Sequence, residues 1–242
     1  PTMTGDMISF FAYAPYNATG ITLAAKDAAS NNTSLTFTVA DNVADMVDFV
    51  AANAIDQEQK KPEKGGQTAV TFNFKHELSR LAFNVKSSLE LKAETHIVVK
   101  AANLVAAGFT KTATYTFNNN TGENGSWRSL TGTFNATDLS GLTTKKTVEL
   151  GKVDGKKYSE SALADITTEK TVNLFDATKY LFLIPAENGS GLKDKAAAVT
   201  FTYDIVTEDA NLANGYSVTP AEKTVYLPAG ILAQGKAYTV TF

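Results

Sequence analysis

Apolar and polar residues alternate along much of this chain, which is the pattern of β-strands. The clearest case lies between residues 198 and 206, where Val199, Phe201, Tyr203 and Ile205 are separated by polar residues such as Asp204. Because successive side chains on a strand point to opposite faces, the four apolar residues share one face. We therefore predict a strand with a buried apolar face and a solvated polar face, which is typical of antiparallel sheets.

Similar segments occur before and after a polar break at residues 118–126, which we interpret as the tip of a hairpin. The predicted strands of the first half are Met7–Ala14, Leu35–Ala40, Ala69–Phe74, Leu81–Val85, His96–Ala101 and Thr112–Phe117. Those of the second half are Thr147–Lys152, Thr171–Leu174, Lys179–Ile184, Ala198–Val206, Tyr216–Thr219, Glu222–Leu227 and Ala237–Phe242. With 242 residues, the chain is predicted to be all-β and to form two tandem antiparallel β-sandwich domains, 1–134 and 135–242.

Helical patterns are few. Residues 42–53 have apolar residues at helical spacing from Val43 to Val50, and Asp41 or Asn42 is placed to cap them, so a short helix is predicted there. A helical turn is predicted at residues 159–166. The alternation of helices and strands that parallel βαβ units require does not occur in the sequence.

Two alternating segments flank a polar hinge at residues 75–80, which contains one of the two histidines, His76. We expect Phe72 and Phe74 from the first segment, with Leu81 and Phe83 from the second, to form the central core of the first sandwich.

This stretch resembles a signature of the fimbrillin family, the surface-pilus subunits of Bacteroidetes, which reads Phe-x-Phe-x-His-x-x-Ser-x-[hydrophobic]-x-Phe-x-Val. The residues that match it include Phe72, Phe74, His76, Ser79 and Phe83. Three further segments resemble family motifs in the same order along the chain. They are Phe-Phe-Ala-Tyr-Ala-Pro at 10–15, Tyr-Leu-Phe-Leu-Ile-Pro at 180–185, which ends in Pro185, and Gly-Lys-Ala-Tyr-Thr-Val-Thr-Phe at 235–242. The family's usual Trp-Pro segment after the first of these is missing, and the only tryptophan is Trp127.

The resemblance implies a transthyretin-like sandwich fold and a structural function. A fimbrillin is exported as a lipoprotein precursor to the cell surface, is held at the membrane only through its lipid anchor, and polymerises with other pilin subunits. In this family a C-terminal strand is thought to fill the groove that a neighbouring subunit exposes when its N-terminal strand is cleaved. The resemblance thus makes Tyr238, Val240 and Phe242 the polymerisation candidates, and it implies adhesion to a host or bacterial surface receptor.

Composition narrows the possible functions. The chain has 22 basic and 25 acidic residues and a net charge of −3, so no basic surface for nucleic acid is expected. Cysteine is absent, which excludes disulfides, thiolate metal sites and a cysteine nucleophile. No apolar run approaches the roughly 20 residues that span a bilayer.

No residue is predicted to be catalytic or to bind a cofactor or a metal. His76 and Glu77 are adjacent, so on a strand they point to opposite faces, and His76 is expected to satisfy backbone groups in a buried or half-buried site. Asp41, Asp45 and Asp48 would share one helical face, but no calcium-binding loop surrounds them, so a solvated helix face is favoured over a metal site. Phosphate-binding loops and the Gly-x-Ser-x-Gly motif do not occur.

A surface lipoprotein that binds glycans is the alternative function. Exposed aromatic side chains would carry it, and the candidates near predicted turns are Tyr13, Tyr16, Trp127, Tyr158 and Tyr216. Nothing in the sequence brings these residues together, and such aromatic residues usually pack with a hydrogen-bonded tip, so packing is the favoured interpretation.

Overall fold

The protein is nearly all-β in a computed structural model that describes residues 7–24, 33–58, 69–105, 108–134, 138–167, 170–186 and 191–242. Two short 3-10 turns, Val43–Asp45 and Ser140–Leu142, are the helical segments of that part of the chain. Its strands are β1 Met7–Ala14, β2 Ile21–Leu23, β3 Ser34–Thr38, β4 Val50–Glu58, β5 Lys75–His76, β6 Ser79–Val85, β7 Thr95–Val105, β8 Thr110–Thr116, β9 Ser126–Thr133, β10 Lys146–Val153, β11 Lys156–Ala162, β12 Ala164–Ile166, β13 Val172–Asn173, β14 Leu181–Leu183, β15 Ala198–Glu208, β16 Tyr216–Tyr226 and β17 Ala237–Thr241.

The strands form five sheets within the described ranges. One sheet has the order β1-β4-β5 and a second has the order β2-β3-β8-β9. A third has β6 at its centre, with β13 and β14 as antiparallel partners and β17 as a parallel partner. The fourth sheet has the order β12-β7-β15-β16, and β10 and β11 form a hairpin. The predicted all-β fold with antiparallel sheets is confirmed, whereas the transthyretin-like topology stays a prediction.

Strand pairing crosses the predicted domain boundary. Strand β6 pairs with β13, β14 and β17, and β7 pairs with β12 and β15, so strands that precede Phe134 share sheets with strands that follow it. A single cut at residue 134 would therefore separate hydrogen-bonded neighbours. The division into two domains, 1–134 and 135–242, stays a prediction, and the sheets that contain β6 and β7 draw strands from both segments.

Most buried apolar side chains form one continuous cluster. Ala51, Phe37, Phe83 and Phe201 contribute to it from four of the sheets. A second, smaller cluster lies between the β10–β11 hairpin and the sheet that contains β7 and β15, and it consists of Val98, Tyr158, Ala162 and Val206. Strand β15 consequently has apolar neighbours on both of its faces.

The prediction that one face of β15 is solvated is wrong, because the second cluster covers that face. Val199 and Phe201 are buried as expected, but Asp204 on the opposite face is 4% exposed instead of solvated, and Val206 beside it is fully buried. The register between β15 and β7 shifts between Thr202 and Tyr203, so that Lys100 of β7 lies opposite no residue of β15. The alternation along β15 is real, but the hairpin covers the face that the sequence pattern assigns to solvent.

Both helical predictions are wrong. At residues 42–53 the chain makes only the 3-10 turn, which Asn42 caps by accepting a hydrogen bond from the Ala44 amide at 3.1 Å, and β4 then begins at Val50. Residues 159–162 belong to β11 and residues 164–166 to β12. From Val50 onward and in β11 and β12, pairing with a neighbouring strand overrides a weak local helical pattern. No helix in the described ranges is long and apolar enough to cross a membrane.

Candidate assembly site

The C-terminal strand β17 lies beside β6, and theirs is the parallel strand pair of the described chain. Its register runs from Ala237 opposite Arg80 to Thr241 opposite Asn84. The ladder is closed at both ends by backbone hydrogen bonds, from the Arg80 amide to the Lys236 carbonyl at 2.9 Å and from the Phe242 amide to the Asn84 carbonyl at 2.9 Å. In the described ranges β6 is the only strand that pairs with β17, which leaves its other edge open.

One face of β17 carries the three polymerisation candidates. Tyr238, Val240 and Phe242 are half-buried and pack against the main cluster, whereas the alternate residues are exposed. The Phe242 ring lies 5.2 Å from that of Phe83 and 5.3 Å from that of Phe201, measured between ring centroids. The strand therefore completes the core of its own subunit through the apolar face that the sequence pattern indicates.

The segment that follows His76 is the inner neighbour of β17. Ser79 is fully buried and its hydroxyl donates to the Ala233 carbonyl at 2.6 Å, which ties β6 to the turn before β17. Phe83 is 1% exposed. Pro185 is buried just after β14, on the opposite side of β6 from β17.

Phe72 and Phe74 do not take the central core positions that the alternation predicts. Residues 69–74 form no strand, and Phe74 is 48% exposed. Phe72 is half-buried, with its ring centroid 6.3 Å from that of Phe10 and 6.4 Å from that of Phe74. Because only Lys75 and His76 pair with β4, the residues before them have no neighbouring strand in the described chain to cover their apolar face.

His76 is exposed, and its Nδ1 lies 2.5 Å from Oδ2 of Asp48. The expected site in which this histidine satisfies buried backbone groups is therefore wrong, because its partner is a carboxylate at the surface. The expectation that His76 and Glu77 point to opposite faces is confirmed, since Glu77 is 1% exposed.

Glu77, which the sequence marks only as the neighbour of His76, is a buried carboxylate next to the candidate assembly site. Its side chain accepts a hydrogen bond from Nε2 of Gln234 in the turn before β17, and its backbone carbonyl accepts one from the Trp127 indole at 2.8 Å. Burial raises the pKa of Glu77 to about 7, against the smaller opposing effects of Gln234 and Tyr115. The alternation that places Ser79 and Leu81 inward also places Glu77 inward, so the signal was present in the sequence.

The family model described as Fimbrillin-like matches residues 2–242. The chain belongs to the fimbrillin-like family. The crystal structure of a fimbrial protein from Bacteroides vulgatus superposes on this fimbrillin-like chain with a TM-score of 0.75 and 27% sequence identity. The match covers 96% of this chain and 71% of that one. No curated protein matches.

The acidic residues of the fimbrillin-like chain that were considered for metal binding have separate partners. Asp41 pairs with Lys111, the Asp45 side chain accepts from Asn42, and Asp48 pairs with His76. In the part of the chain that the structure describes, no group of three or more His, Cys, Asp or Glu side chains could hold a metal ion.

The aromatic residues considered for glycan binding lie at different places in the fimbrillin-like fold. Trp127 packs with the rings of Phe37, Phe49 and Tyr115. Tyr13 is half-buried against the same cluster. Tyr158 on β11 is buried, and its ring centroid lies 5.9 Å from that of Tyr216 on β16. Tyr16 is the exposed member of the set, at 79%.

Proposed function

We propose that this protein is a structural subunit of a bacterial surface fimbria, that it assembles with other pilin subunits by strand exchange, and that it supports adhesion. Membership of the fimbrillin-like family and likeness to a Bacteroides fimbrial protein support a role as a pilus subunit. The role is one of assembly, without catalysis.

The observation that carries the proposal is the position of β17. This strand runs parallel to β6, pairs with that strand, and inserts one apolar face into the core. A strand held by one ladder can be replaced by an equivalent strand from another copy, because the same backbone hydrogen bonds and the same side-chain pockets are then formed between subunits. Tyr238, Val240 and Phe242 are the residues that would fill those pockets.

We propose that the subunit reaches the surface as a lipoprotein precursor, that only its lipid anchor contacts the outer membrane, and that the assembled fimbria binds a receptor on a host or bacterial surface. Family membership supports these statements.

Strand exchange can be tested by disulfide trapping, because the sequence has no cysteine of its own. Thr239 on β17 lies opposite Ala82 on β6, and adjacent strands bring opposite residues within disulfide range. Thr239→Cys subunits are mixed with Ala82→Cys subunits, assembled into fibres and oxidised. We expect disulfide-linked dimers on non-reducing gels, because a Thr239 from one subunit then lies opposite an Ala82 from the next.

The double variant Thr239→Cys/Ala82→Cys provides the matched control. Oxidation before assembly should lock β17 into its own subunit and prevent fibres, and reduction should restore them. Fibres of normal length from the locked variant, or fibres of the mixed single variants without linked dimers, would contradict strand exchange by β17.

A further inference from the structure

Glu77 lies where three segments of the chain meet. It directly precedes β6 through Leu78, its carboxylate accepts from Gln234 in the turn before β17, and the same Gln234 amide donates to the Gly125 carbonyl at 3.0 Å. The Trp127 indole donates to the Glu77 backbone carbonyl. Through its carboxyl group and its backbone carbonyl, Glu77 thus links the start of β6, the β8–β9 hairpin and the C-terminal turn.

The turn before β17 is packed closely against this junction. The Gly235 amide donates to the Leu78 carbonyl at 3.2 Å. Gly235 has a φ of +66°, and a Cβ atom at this position would lie 2.8 Å from the His76 carbonyl oxygen. The turn therefore has little room to adjust while the junction stays closed.

The surroundings of the carboxyl group favour its neutral form. The titratable and charged groups that face it are Tyr115 from β8 and, on its own segment, Lys75 and His76, while the turn contributes the neutral amide of Gln234. The Tyr115 hydroxyl accepts from the Gly125 amide at 2.9 Å and hydrogen-bonds the carboxyl group. Loss of water outweighs these partners and raises the pKa of Glu77 from 4.5 to about 7.

Linkage between protonation and folding makes the stability of the folded protein depend on the charge of Glu77. Between pH 4.5 and about 7 the folded protein keeps a proton on Glu77 that the unfolded chain has lost, so the folded state becomes less stable as the pH rises through this range. Above pH 7 the junction holds a buried negative charge. Admission of water to that charge requires the segments around it to separate, and the C-terminal turn contacts the carboxylate through the Gln234 side chain.

We propose that Glu77 is a pH-dependent latch on the C-terminal strand, which holds Gln234 and the start of β17 in place while its carboxyl group is protonated and loosens them when it ionises. The latch belongs to the single subunit and is separate from strand exchange, because its test measures the protection of β17 and needs no fibres.

Amide hydrogen exchange of the full chain at pH 5.5 and pH 8.5, corrected for the intrinsic pH dependence of exchange, tests the latch. We expect the protection of residues 235–242 to fall by about tenfold or more at pH 8.5, since one unit of pKa shift corresponds to a tenfold change in an equilibrium constant. The amides of β15 and β16 should lose less protection over the same change in pH. Equal protection of 235–242 at both pH values, or an equal loss throughout the chain, would overturn the proposal.

Two variants and one control define the role of the carboxyl group. Glu77→Gln should keep β17 protected at pH 8.5, whereas Glu222→Gln, an exposed carboxyl on β16, should behave like the wild type. If Glu77→Gln does not fold, Tyr115→Phe is tested in its place. This change removes a hydrogen-bond donor that lowers the pKa of Glu77, so the midpoint of the protection change should move to higher pH. An unmoved midpoint, or a Glu77→Gln variant that still loosens at pH 8.5, would overturn the latch.

Discussion

Phe83 and Phe74 carry the same side chain in opposite surroundings. Phe83 is 1% exposed, with the rings of Phe175 and Phe242 at centroid distances of 5.3 and 5.2 Å. Phe74 is 48% exposed. At the scale of the residue, the strands that cover a side chain decide its contribution to stability.

Truncation of these two residues should therefore have unequal effects. Phe83→Ala should lower the free energy of unfolding by about 3–5 kcal/mol through lost burial and a cavity. Phe74→Ala should lower it by less than about 1 kcal/mol, as at other exposed sites. Urea unfolding followed by circular dichroism measures both, and similar losses would show that the burial of Phe74 is misassigned.

Asp204 is a buried charge with two partners. Lys100 Nζ lies 2.7 Å from its Oδ1, and the Tyr158 hydroxyl donates to its Oδ2 at 2.9 Å. The register shift that passes over Lys100 and the hairpin that supplies Tyr158 are both required to place these groups. A buried carboxylate loses water, so each of these partners offsets part of the cost.

Tyr158→Phe removes one partner and keeps the ring. We expect a loss of about 1.5–3 kcal/mol in the free energy of unfolding, the range for hydrogen bonds to charged groups. Tyr226→Phe, at a site that is 54% exposed, is the matched control and should change little. Thermal unfolding of both variants measures the difference, and equal melting temperatures would argue against the Tyr158–Asp204 hydrogen bond.

At the scale of elements, the tip of the β8–β9 hairpin is anchored by one side chain of β4. Asn53 is 4% exposed, and its Nδ2 donates to the carbonyls of Asn118 at 2.6 Å and Asn120 at 2.9 Å. Its Oδ1 accepts from the Gly122 amide at 2.7 Å. The hairpin predicted from the polar break at 118–126 is confirmed, and its tip is fixed to a different sheet.

Asn53→Ala should release this tip. Loss of three hydrogen bonds in a buried site is expected to lower the free energy of unfolding by roughly 2–4 kcal/mol. The fluorescence of Trp127, the only tryptophan, should change as well, because β9 begins directly after the tip. Asn173→Ala, on the exposed side of β13, is the control. A variant at Asn53 with wild-type stability and fluorescence would show that the anchor is dispensable.

At the scale of the whole molecule, the sheets are built from distant parts of the chain. Strands β6 and β7 depend on β12, β13, β14, β15 and β17 for their ladders. Unpaired backbone groups and uncovered apolar faces are costly, so these two strands have no stable arrangement without the second half of the chain.

A fragment of residues 1–134 is therefore expected not to fold into the native arrangement of its strands. Its amide NMR spectrum should be poorly dispersed, or the fragment should associate through its open edges. The full chain under the same conditions is the control. A well-dispersed, monomeric spectrum of the fragment would instead support residue 134 as the boundary of an independent domain.

Alternation and ordered motifs in the amino-acid sequence were enough to predict the class of fold, the family and the inward faces of several strands. Alternation is a local property, so it predicted antiparallel strands, the inward face of Tyr238, Val240 and Phe242, and the opposite directions of His76 and Glu77. The ordered motifs at 10–15, 72–85, 180–185 and 235–242 predicted the fimbrillin-like family, which the match over residues 2–242 confirms.

Which of the alternating faces are covered depends on tertiary contacts that the pattern does not contain. The same pattern leaves Phe74 exposed and buries Asp204, because no neighbouring strand of the described chain covers the first while a hairpin from a distant segment covers the second. The pairing of β6 with β17 and of β7 with β15 joins residues that are far apart in the sequence. Burial depends on such neighbours, and a periodicity of two residues contains no information about which distant segment will supply them.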